Sequence, residues 1–156
     1  MKAKHYILIA STLVLTVVLL SARKTVLLPE EAEKIVELDQ KIDSAVAFVE
    51  SGEQPMKGIM MLREVLEEDS TNIKALTRLG QFSIQSGQYD KAEARFETIK
   101  RLEAQNIDAL YYLGHLSARK GDKEVALNYF NKCLELTDDK EFSEELNEYI
   151  KELQNN

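Results

Sequence analysis

The chain has 156 residues, 44% of them apolar and 30% charged, with two prolines and one cysteine. That length holds one domain plus a short accessory segment, and the lone Cys133 excludes an intramolecular disulfide. Lys2, Lys4, Arg23 and Lys24 are the only charged residues of the first 24 positions, leaving 16 basic against 27 acidic residues beyond them and a net charge near −11 there; so acidic a body excludes a phosphate-backbone partner, which needs a basic stripe.

Tyr6 to Ser21 carries no charge. Counted through Ala22, the run reaches the short limit of the roughly 17–25 residues that span a bilayer as a helix. It exceeds the core of a signal peptide, about 7–15 residues. Leu20 stands where a cleavage site wants a small residue, and Arg23 follows Ala22 directly. Residues 1–24 therefore read as an N-terminal transmembrane anchor, inserted through residues 6–22. A cleaved signal peptide is the alternative. Basic residues flank the run on both sides, so the positive-inside rule decides little. A short stub before the run and a whole domain after it predict a single-pass protein of the inner membrane with the domain in the periplasm. Cleavage would instead leave a soluble secreted or periplasmic protein.

Residues 25–38 are a linker and the start of the first helix. Pro29 suits a first helical turn, and Glu30, Glu31 and Glu33 complement the positive end of the helix dipole. The helix is expected to run to about Glu50 and stop near Gly52. Ile35, Leu38, Ile42, Ala45 and Val49 are spaced 3, 4, 3, 4. This is either a face packed on its own domain or a coiled-coil seam for self-association. Two heptads are few for a seam, so the packed face is preferred. Met56 to Glu68 reads as a second amphipathic helix.

From here the chain repeats itself. Ile73-x-Ala75-Leu76 recurs as Ile107-x-Ala109-Leu110, Leu79-Gly80 as Leu113-Gly114, and Ala92-x-x-x-Phe96 as Ala126-x-x-x-Phe130, each pair 34 residues apart. Gly58, Leu62 and Val65 stand 34 residues before Ala92, Phe96 and Ile99 and mark a degenerate earlier copy. The pattern resembles the tetratricopeptide repeat, W-x2-L-G-x2-Y then A-x3-F then P, a helix-turn-helix unit of about 34 residues. Leu76 and Leu110 stand at the Trp place, Ser83 and Ser117 at the Tyr place, and Ala104 and Asp138 at the Pro place. The resemblance implies an all-α solenoid: a degenerate first repeat at 39–72, repeats at 73–106 and 107–140, and a capping helix at 141–156. Gly80, Gly114, Ala92 and Ala126 are expected to let paired helices approach, with Phe96 and Phe130 filling the space. Cys133 is expected in the core. After a last turn around Thr137–Ser143, the stripe Phe142, Leu146, Tyr149, Ile150 and Leu153 is expected to close the array.

The two histidines, His5 and His115, stand far apart in the chain, and no cysteine–histidine cluster of metal-ligand spacing or glycine-rich phosphate loop is present. The chain reads as non-enzymatic and as needing no cofactor or metal. The family lines a concave groove with the first helix of each repeat. The resemblance thereby implies a protein partner bound as a peptide or helix by Lys74, Thr77, Arg78, Gln81, Ile84 and Gln85, and by Asp108, Tyr111, Tyr112, His115 and Arg119. Tyr and Arg are frequent in binding hot spots. Asp108 and Tyr112 occupy places where chaperone-tail clamps of the family use Lys and Arg, so that ligand is not expected. The expected role is a membrane-tethered scaffold, with self-association the less favoured alternative.

Overall fold

The structure, a computed structural model, describes residues 29–155. The expected membrane segment at 6–22 lies outside the described residues. Among those described there are seven helices and no strand: α1 Pro29–Glu50, α2 Pro55–Glu68, α3 Ile73–Gln85, α4 Tyr89–Leu102, α5 Ile107–Lys120, α6 Lys123–Leu136 and α7 Lys140–Asn155. None of these is long and apolar enough to cross a membrane. Residues 29–40 fall with the N-terminal unit and residues 41–156 form a second unit. On the first, Ile35 and Val36 are exposed.

Within the second unit, local chemistry sets each boundary. Asn72 and Asn106 cap α3 and α5, their side chains accepting from the amides of Ala75 at 3.0 Å and Ala109 at 2.9 Å. The turns inside the two later hairpins place Gly87 at φ 72° and Gly121 at φ 89°, a region that costs a side-chain-bearing residue energy. Helix α2 starts at Pro55, one residue before the expected Met56, because proline suits the first helical position. Helix α7 starts at Lys140, ahead of the expected turn's end. Asp139 makes that start, its carboxylate accepting from the amides of Glu141 at 3.0 Å and Phe142 at 3.2 Å.

The repeated residues do the packing. A methyl group on Gly80 would sit 2.6 Å from Cζ of Phe96, and one on Gly114 would sit 2.8 Å from Cδ1 of Phe130. Each phenyl ring thus lies flush on the glycine of its partner helix. Gly58 does the same for the earlier hairpin, where a methyl would meet the Ala45 carbonyl and Val49. Phe96, Phe130, Ala92, Ala126, Leu62 and Val65 have no exposed surface. Ile42 and Ala45 of the α1 stripe are also buried. Helix α7 lays Leu146 and Ile150 on the core of Leu110, Phe130 and Cys133, with Phe142, Tyr149 and Leu153 at its margin.

Candidate functional site

The first helices of the two regular repeats, α3 and α5, carry the side chains that the repeat pattern leaves free. Three of the expected residues join in one chain. Arg78 Nη1 donates to Gln81 Oε1 at 3.1 Å, and Gln81 Nε2 donates to the Tyr112 hydroxyl at 3.0 Å. The Tyr112 ring stacks on Phe96 at 4.6 Å between centroids. A core ring therefore holds Tyr112, Tyr112 holds Gln81, and Gln81 aims the Arg78 guanidinium. A guanidinium so anchored has less rotamer freedom to lose when it meets a partner.

Tyr111 and His115 lie together on the next flank of α5, with ring centroids 4.4 Å apart. Helix α7 reaches both, Tyr149 approaching His115 at 4.7 Å and Phe142 approaching Tyr111 at 5.7 Å. His115 also meets Phe130 edge-on at 5.0 Å. Its Nε2 is buried with no hydrogen-bond partner. Burial holds the imidazole below its ordinary pKa, so it is neutral at physiological pH. A small recess of about 100 Å³ remains between Tyr111, His115, Phe142, Glu145 and Tyr149. Burial, and then the neighbouring Tyr112 and Glu145, raise the Tyr111 phenol above its ordinary value.

The remaining expected residues are dispersed. Lys74 pairs with Asp43 of α1 at 3.0 Å. Thr77 is half-buried and Asp108 exposed. Ile84 packs on the core around Phe96. Gln85 lies at the rim of a cavity between α2, α3 and α4. The Arg119 guanidinium lies 3.7 Å over the Tyr89 ring of α4, where it ties two hairpins together. Of the eleven, the structure thus gathers Arg78, Gln81 and Tyr112 in one group and Tyr111 with His115 in another, and the two meet where the Tyr111 and Tyr112 rings lie edge to face at 5.4 Å.

Cys133 is fully buried, its thiol 3.7 Å from the Ile107 carbonyl oxygen. Burial, with Asp108 adding to it, pushes the thiol pKa up to about 11. The group is protonated at neutral pH and a poor nucleophile. Among the described residues no cluster of three histidine, cysteine or acidic side chains could hold a metal ion.

The arrangement presents hydrogen-bonding and aromatic surface along α3 and α5. The sequence profile described as tetratricopeptide repeat matches residues 54–113, and a second of the same description matches residues 107–140. Together they span more than half the chain. Curated protein sequences yield no match. Similar solved structures include the Yersinia enterocolitica type III secretion translocator chaperone SycD, with TM-score 0.67 and 17% identity over 75% of this chain and 83% of that one. The same chaperone in complex with a peptide of the translocator YopD has TM-score 0.67 and 17% identity, over 76% of this chain and 92% of that one. YrrB, a TPR protein with an unusual peptide-binding site, has TM-score 0.59 and 21% identity, over 71% of this chain and 57% of that one. At these identities the likeness is one of fold.

Proposed function

The chain belongs to the tetratricopeptide repeat family, and on that premise we propose that it is a non-catalytic scaffold that holds a partner peptide or helix along α3 and α5. The observation that carries this is the Arg78–Gln81–Tyr112 chain, which fixes a cation and two polar groups on a core ring. Peptide-binding proteins among the similar folds support the same reading. Residues 6–22 tether the domain to the inner membrane, with the domain in the periplasm. The tether raises the local concentration of the scaffold against membrane-borne partners.

Photocrosslinking in native membranes tests the groove. A photoreactive residue at Gln81 or Arg78 is expected to capture one protein, and the same residue at exposed Lys132 of α6 is not. Equal capture from both places would remove the groove from the reading. Protease protection of intact spheroplasts tests the tether: a domain digested only after inner-membrane lysis would reverse the orientation.

A further inference from the structure

A second surface lies on another flank of α3. At 100° per residue, Leu79 and Ser83 point away from Arg78 and Gln81, and Phe82 lies between the two flanks. The three floor a cavity of about 400 Å³ between the ends of α2, α3 and α4. Ser83, like Ser117, stands where the repeat pattern carries an aromatic residue; Tyr129 occupies the later gap, and Arg95 stands at its place here. Arg95 of α4 leans into the cavity, Nη1 donating to Ser83 Oγ at 2.8 Å.

The charge of this cavity is opposite to that of the chain. Its lining holds Arg63, Lys91 and Arg95 and no acidic residue, in a protein of net charge −7. No carboxylate among the described residues lies within ion-pair distance of these three. Burial lowers the Arg95 pKa, and the nearby Arg63 pushes the same way. Two unneutralised guanidiniums facing one cavity favour an anion. The rest of the wall is apolar, with Pro55, Ile59, Leu79 and Phe82 against the opening. A free phosphate would leave that wall unused. A polypeptide side chain next to a carboxylate would cover it.

We propose that this cavity is a docking site, separate from the α3–α5 groove, for a partner segment in which an acidic side chain adjoins an apolar one. The carboxylate pairs with Arg63 and Arg95, and the neighbouring apolar side chain enters over Phe82 and Ile59.

The test uses the full chain in detergent micelles and follows the arginine Nε–Hε resonances. The probe is the peptide acetyl-Ser-Glu-Leu-Leu-Ser-amide, whose only carboxylate is the glutamate side chain. It is expected to shift the signals of Arg63 and Arg95 saturably. Its Gln-for-Glu and Ser-for-Leu analogues are each expected to bind about tenfold more weakly. Arg63 is exposed, so Arg63→Gln is expected to lose about tenfold in affinity with no loss of melting temperature. Arg95→Lys keeps the charge but loses the fork, and is expected to weaken binding by a smaller factor. Equal binding of the Gln analogue, or of the Arg63→Gln protein, would overturn the proposal. So would tighter saturation of the same signals by inorganic phosphate, or Arg63-dependent binding to anionic phospholipid vesicles.

Discussion

Arg63 on α2 and Arg95 on α4 line one cavity without a carboxylate between them. Thirty-four residues on, the same two places on α4 and α6 hold Glu97 and Tyr129, and there the gap is filled. The Tyr129 hydroxyl donates to Glu97 at 3.2 Å and accepts from Lys100 at 2.8 Å, while Lys100 pairs with Glu97 at 2.7 Å. Burial lowers the Lys100 pKa, but its bonds to Glu97 and Tyr129 outweigh this and leave it raised. Lys120 pairs with Glu93, and Arg119 covers Tyr89. The glycine–phenylalanine contacts are alike in both hairpins. The repeat therefore sets how helices pair within a unit and leaves the seam between units to residues outside the pattern. One seam satisfies itself; the other offers its charge to something else.

The shared frame carries the largest effect. Phe96→Ala and Phe130→Ala are each expected to cost about 3–5 kcal/mol, measured by urea unfolding under circular dichroism. A large loss confined to one of them would break the symmetry of the two hairpins. The filled seam comes next. Tyr129→Phe removes one hydroxyl between Glu97 and Lys100 and is expected to cost about 0.5–1.5 kcal/mol in the same assay.

A third effect separates Gln81 from His115, which occupy the same place in successive repeats. Gln81 is hydrogen-bonded to Tyr112, whereas His115 Nε2 is not bonded and faces Tyr111, Phe130 and Tyr149, with Glu145 at the edge of the recess. Its folded pKa lies below the ordinary 6.5, so on acidification the unfolded chain takes up the proton first. Stability is then fully present above pH 6.5 and declines as the pH falls below it. His115→Gln is expected to flatten this part of the melting-temperature profile between pH 7 and 5. An unchanged slope would show that the imidazole is as easily protonated folded as unfolded. The smallest effect belongs to the open seam. Arg63→Gln removes one of two like charges and is expected to change stability by less than about 0.5 kcal/mol, in the stabilising direction. A loss comparable to that of Tyr129→Phe would mean that the first seam has a partner for its charge after all.

The frame was legible in the sequence because a 34-residue period names the residues that recur, and those are the ones at which helices touch. Gly80, Phe96, Ala92 and their copies were readable for that reason, as was the burial of Cys133. The site was legible in part. The resemblance carried by the 34-residue spacing implies that Arg78, Gln81 and Tyr112 lie on groove-lining helices, but their joining depends on how α3 and α5 stack. The same spacing could not show that α7 reaches over Tyr111 and His115. Nor could it show that Arg119 crosses to Tyr89. The cationic cavity left no trace of its own in the pattern, since Ser83 and Ser117 occupy the aromatic place alike. Reading it required knowing that Arg63 and Arg95, far apart in sequence and outside the pattern, face the same space.

The bridge from Tyr129 to Glu97 and Lys100 bears on how the molecule breathes. In stacked repeats each unit opens against its neighbour's grip. Amides of α4 and α6, clasped to each other, are expected to exchange with solvent as one cooperative block. Those of α2, which lacks such a clasp to α4, are expected to exchange sooner. An occupant between Arg63 and Arg95 would supply the missing clasp, and its arrival would register as slowed exchange in α2, a helix that carries none of the groove residues.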